Sequence, residues 1–145
     1  MGDLKALSAA WTDAFNAHDE AGIRACYAED ATFTAPGGVT LEGAEPITGY
    51  AMTWLNGFPD AQITVHDEVI GEEWVAQRFT FAGTHTETLA SADGDIPATG
   101  KSLSGRGASL TRFRDGKIVE DHLYYDQVDV MTQLGLMPET AAAAS

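Results

Sequence analysis

The sequence predicts an α+β fold, on three observations. Apolar residues recur at helical spacing in three segments before Pro59, and from Asp60 onward the apolar period drops to two. The third is length: 145 residues fall within the ~100–200 of one domain, which can bury roughly 68–70% of the surface its unfolded chain exposes. Helices followed by four consecutive antiparallel strands is the order of a fold whose helices pack on one face of a sheet. There is no internal repeat, so one domain is placed at residues 1–139, with a disordered tail at 140–145.

The first helix starts at Leu4, where Leu4, Leu7, Trp11, Ala14 and Phe15 form an amphipathic stripe behind a capping Asp3. Asn16-Ala17-His18-Asp19 breaks it. Asp19 then caps a short second helix that carries Ile23, Cys26 and Tyr27 toward the same core, making an αα-hairpin. Ala31 to Thr34 alternates as a strand and stops at Pro36-Gly37-Gly38, and Val39 to Leu41 can pair back on it. A third helix has Pro46 in its first turn, Ile47, Tyr50, Ala51, Trp54, Leu55 and Phe58 on its apolar face, and Gly57 and Pro59 at its end. Ala61, Ile63 and Val65 then alternate with polar neighbours up to a turn at Gly71, and a long β-rich run follows from Trp74 to Thr86. Leu89 to Gly100 reads as a mobile loop. The last two strands, Leu103 to Arg114 and Lys117 to Asp126, meet at Asp115-Gly116, a strong hairpin turn. Val128 to Leu134 makes a closing helical turn.

Composition excludes several classes. The net charge of −14 repels phosphate backbones and anionic lipid surfaces, and the eight Lys and Arg form no basic stripe, so neither nucleic acid nor membrane is an expected partner. Cys26 stands alone, and the start of the chain lacks the charged-then-apolar form of a secretory signal, so a reducing, cytoplasmic setting is expected. His18, His66, His85 and His122 have no metal-ligand spacing, which predicts no metal. Gly105-Arg106-Gly107 sits inside a strand pattern and not at the start of a βαβ unit, so it is no dinucleotide fingerprint.

Several runs together resemble the SnoaL-like polyketide cyclase family, within the nuclear transport factor 2-like superfamily. They are Ala14-Phe15-Asn16-Ala17-His18-Asp19, Tyr27-Ala28-Glu29-Asp30-Ala31, Gly83-Thr84-His85-Thr86, Ile96-Pro97-Ala98-Thr99-Gly100-Lys101, Arg112 to Glu120, and Tyr125-Asp126-Gln127 with Gln133-Leu134-Gly135. The resemblance implies a cone of curved antiparallel or mixed sheet closed by three helices of the N-terminal half, with an apolar pocket running into it, and a homodimer. It also implies an aspartate on the last strand acting as acid and base in an aldol ring closure, with no metal or organic cofactor. Read without a gap, the last strand of this chain has Leu123 where many members have that aspartate.

Strand alternation supplies the candidates. Val119, Asp121, Leu123 and Tyr125 share one face of the last strand, and Glu120, His122, Tyr124 and Asp126 share the other. Asp121 pointing into an apolar interior would gain a raised pKa and act as a general base; at the mouth, or beside an arginine, it would be structural. His122 and Asp126 form a second candidate acid/base pair, reaching the pocket only through a bulge, or else a structural hydrogen bond. Tyr27, Tyr50, Trp54, Phe58, Phe79 and Phe81 are the candidate lining for a flat apolar ligand, much of it also core. His85 shares a face with Phe79 and Phe81, at the inner end of that wall or at the rim, and Ser109 and Thr111 can orient a carbonyl.

The expected activity is therefore cofactor-free proton transfer on a hydrophobic carbonyl compound, by Asp121, His122 and Asp126. Two alternatives stand beside it: a non-catalytic binder of a small hydrophobic molecule or accessory protein, and an epoxide hydrolase, which needs two carboxylates and an arginine around one water.

Overall fold

Two capped helices open the chain. In α1 (Leu4–Asn16) the Asp3 carboxylate accepts from the Lys5 backbone N–H at 3.0 Å, and in α2 (Glu20–Ala25) Asp19 does the same for Gly22 at 3.0 Å. Each satisfies an amide that the helix itself leaves without a partner. The computed structural model of the chain describes residues 3–91 and 94–137, so the predicted tail 140–145 lies outside the described residues.

Tyr27 does not extend the second helix but begins β1 (Tyr27–Ala35), which turns at Gly37 and Gly38 into β2 (Val39–Glu42). Next comes α3 (Ala44–Gly57), then β3 (Gln62–Ile70), β4 (Trp74–Thr84), β5 (Ser102–Arg114), β6 (Lys117–Tyr125) and α4 (Gln127–Gln133). The six strands form one curved, unclosed sheet in the order β2-β1-β6-β5-β4-β3, and β1 runs parallel to β6 while every other pair is antiparallel. Asp115 and Gly116 both take positive φ at the β5–β6 turn, the geometry that matches the twist of a two-residue hairpin.

Helices α1, α2 and α3 cover one face of the sheet, where Phe15, Ile23, Ile47, Leu55, Phe58 and Val75 are almost fully buried. A fourth helix, α4, adds Val130 and the following Leu134 to that core, and its Gln133 side chain bonds both the N–H and the C=O of Ser104 at 2.8 and 3.1 Å. The segment after β4 carries its own clip, since Leu89 and Ile96 exchange backbone hydrogen bonds of 2.9 and 2.8 Å.

Two bulges decide what faces inward. In β3, Val65 pairs with Phe79 and Asp67 with Arg78, so His66 is an extra residue that turns Glu68 to the covered face opposite Gln77. In the β5–β6 ladder, Arg112 pairs with Glu120 and Phe113 with Ile118. Val119 is left over, and Ile118 takes the inward place that simple alternation assigned to Val119. Among the described residues no helix is long and apolar enough to cross a membrane.

Candidate active site

Between the covered face of the sheet and the helices lies an internal cavity of about 130 Å³. One end is aromatic. Trp54 of α3 packs edge-on against Phe81 of β4 and Tyr125 of β6, with both ring centroids at 5.6 Å, and Tyr50 and Phe79 complete the wall. The floor here is Gly105 and Gly107 of β5. A Cβ on Gly107 would stand 2.7 Å from Cζ of Phe79, so only glycine lets that ring lie across the strand.

The other end is polar and centred on Asp121, which is 7% exposed. Its Oδ2 accepts from the Tyr27 hydroxyl at 2.8 Å and its Oδ1 from Thr111 Oγ1 at 3.1 Å. The Trp11 indole N–H, from α1, donates in turn to the Tyr27 hydroxyl at 3.0 Å. Burial raises the Asp121 carboxyl to about 6, with the Tyr27 and Thr111 bonds and nearby His122 pulling the other way. Desolvation outweighs the donors, so this carboxyl gains and loses its proton near neutrality. Tyr27, buried beside that carboxylate, is held well above its ordinary range and keeps its proton. Burial, and after it Tyr50, does the same to Tyr125.

The expected residues divide sharply. Asp121, Tyr27, Tyr50, Trp54, Phe79, Phe81, Ser109 and Leu123 all line the cavity. His122 and Asp126 do not. His122 faces the uncovered side of the sheet, where its Nδ1 meets Thr34 Oγ1 at 2.7 Å and its Nε2 meets Glu120 at 2.8 Å. Asp126 has left the strand and caps α4, accepting from the Asp129 N–H at 3.1 Å; no bulge returns it to the interior. Phe58 and His85 lie behind the wall, not in it. They are fully buried and stacked on each other at 5.1 Å, with His85 Nδ1 held by Thr99 Oγ1 at 3.0 Å and burial lowering the imidazole pKa. Arg78 also lies on the outer face, in an ion pair with Asp67 at 2.6 Å.

Several cavity residues were absent from the expected site, among them Ser8, Trp11, Gln77 and Ile118. Trp11 carried a readable signal, because an indole N–H on a buried helix face requires a partner. With one base that titrates near neutrality, retained phenol donors and aromatic walls, the arrangement can take a proton from a carbon acid and return it.

Comparison with known proteins gives the family and the fold. The family model described as SnoaL-like polyketide cyclase matches residues 5–134. Aklanonic acid methyl ester cyclase DauD of Streptomyces sp. (strain C5) is 34% identical over 100 residues, which cover 66% of this chain and 57% of that relative, less than two thirds of its length. Among solved structures, IdmH of Streptomyces antibioticus, a proposed polyketide cyclase, is 29% identical with a TM-score of 0.77, covering 92% of this chain and 99% of its own. AclR of Streptomyces galilaeus, a proposed hydroxylase, is 28% identical with a TM-score of 0.77, covering 92% and 96%. A protein from Jannaschia sp. CCS1 reaches a TM-score of 0.80 at 18% identity, covering 92% of each chain, a likeness of fold alone.

Proposed function

The chain belongs to the SnoaL-like polyketide cyclase family, and from that premise we propose that it is a cyclase or isomerase-type enzyme in which Asp121 moves a proton on a hydrophobic carbonyl substrate. The observation that carries this reading is a carboxyl with a pKa of about 6 facing an aromatic cavity. Asp121 as carboxylate takes the proton from the carbon beside a carbonyl, leaving an enolate. The enolate carbon attacks a second carbonyl of the same molecule, forming a carbon–carbon bond, and the resulting alkoxide recovers the proton from Asp121. In an isomerisation the proton returns to another carbon instead. No electrons leave or enter the substrate, so the residues of the chain suffice. The Ser109 hydroxyl is the donor suited to the developing enolate oxygen, and the walls of Trp54, Phe79 and Phe81 keep bulk water from quenching it.

Leu123 stands beside Asp121 on the inner face and contributes apolar wall, while the acid/base role falls to the residue two positions earlier. The same reading expects the chain to be a homodimer, supported by exposed Val69, Leu110 and Tyr124 on the outer sheet face; sedimentation showing only monomer at micromolar concentration contradicts it.

The test uses 1-indanone in D2O as a carbon-acid probe, with aklanonic acid methyl ester assayed beside it. Wild-type protein is expected to speed deuterium uptake beside the carbonyl, and Asp121→Asn to abolish that acceleration while the probe still binds. Equal exchange by the two proteins contradicts the assignment.

A further inference from the structure

The polar end of the cavity holds a second constellation that the proton transfer does not use. Gln77 of β4 lines the cavity, and its amide nitrogen donates to Ser8 Oγ at 2.6 Å and to Glu68 Oε2 at 2.7 Å. Ser8, 6% exposed on α1, donates its own hydroxyl to the same Glu68 oxygen at 2.8 Å. The Gln77 amide nitrogen is thereby turned toward both acceptors. An ionised carboxylate can only accept, so the reversed amide would set two acceptor oxygens face to face with no proton between them. The amide is locked, and Oε1, which receives no hydrogen bond among the described residues, is the atom left for an occupant.

Its neighbours reinforce that character. Ser109 lies directly opposite Gln77 in the β4–β5 ladder and Thr111 directly opposite Asp121 in the β5–β6 ladder, all on the covered face. The nearby donors, Tyr27 and Thr111, are both occupied by Asp121. What the polar end offers an occupant is thus the Gln77 carbonyl, the Asp121 carboxyl and a Ser109 hydroxyl that adapts to either role.

We propose that Glu68 is a positioning residue that fixes the Gln77 amide with its oxygen toward the cavity, so that the site selects ring compounds bearing a hydrogen-bond-donating hydroxyl, a phenol or an enol. This rests on the reading of the cavity as the substrate site and names the substrate class that site prefers. The bulge at His66 makes the device possible, since without the extra residue Glu68 would face the opposite side of the sheet.

Phenol and anisole test it. Both are single rings, the size that an engineered cavity of comparable volume holds, and only phenol has a proton to donate. NMR titration of the full chain is expected to show phenol preferred about tenfold over anisole, the worth of one good hydrogen bond. In Glu68→Gln and in Gln77→Met the ratio is expected to fall to about twofold or less, with anisole binding kept. A ratio is indifferent to general loosening of the cavity, so it separates positioning from mere structural support. In Asp121→Asn the preference is expected to persist. A wild-type ratio in both Glu68→Gln and Gln77→Met, or its loss in Asp121→Asn alone, would assign the recognition to Asp121 and overturn the inference. That result leaves the exchange of 1-indanone untouched, so the two readings fail separately; binding of neither probe overturns both.

Discussion

The Tyr27 hydroxyl donates to Asp121 Oδ2 at 2.8 Å, joining the first residue of β1 to the middle of β6 inside the cavity. The bond favours the charged carboxylate and so opposes the larger, upward effect of burial. Tyr27→Phe removes the donor and keeps the ring. The midpoint of the pH–activity profile is expected to move above about 6, and a midpoint unchanged or lowered shows that the bond does not tune the base.

The raised carboxyl also sets a stability cost. Folded, Asp121 titrates near about 6; its ordinary value is 3.8. Between those values the native state binds the proton more tightly than the unfolded chain, so stability is fully present below the window and falls as pH rises through it. Above the window the charged form costs about 3 kcal/mol. Asp121→Asn is therefore expected to melt higher than wild type at pH 8, by about 1–2 kcal/mol once a weakened hydrogen bond is counted, and to show no such gain at pH 4. A lower Tm at pH 8 contradicts this.

His122 and Asp126 provide the contrast. Both lie outside the cavity, so His122→Ala and Asp126→Ala are expected to keep the exchange, Asp126→Ala with its pH midpoint in place and His122→Ala with the midpoint moved slightly up, because the imidazole no longer lowers the Asp121 pKa. Asp126→Ala loses the α4 cap and about 1 kcal/mol of stability, read by denaturant unfolding. A tenfold loss of exchange in either variant would show that the outer face takes part in the chemistry.

Much of this was legible in the sequence. The switch of apolar period from helical to alternating marked the layers, Asp3 and Asp19 marked helix starts, and Asp115-Gly116 marked the last hairpin. Alternation also placed Asp121 and Leu123 on one face, and the structure turns that face inward. The parallel pairing of β1 with β6 joins distant segments and leaves no local signal. Bulges were equally silent: one extra residue at His66 reverses the alternation and brings Glu68 inside, and another at Val119 exchanges it for Ile118. Phe58 and His85 show a different gap, because spacing assigns a residue to a face but not to a depth. Asp126 closes a strand-like run and opens a helix, and its capping bond settles on the helix.

Gly107 provides a steric test. Ala at this position would bring Cβ within 2.7 Å of the Phe79 ring, with the Tyr124 carbonyl at 3.2 Å on backbone that cannot yield easily. The ring must shift and disturb the aromatic end. Gly107→Ala is expected to weaken anisole binding at least about tenfold, an effect of 1.4 kcal/mol, and undiminished binding would place the ligand elsewhere.

The central claim is that Asp121 is a buried base that titrates near neutrality, and carbon-13 NMR titration of the aspartate carboxyls reads it without any substrate. The resonance missing from Asp121→Asn is expected to titrate with a midpoint at about 6. If that resonance instead titrates at its ordinary value of 3.8, the carboxyl is solvated and the account of the site is wrong.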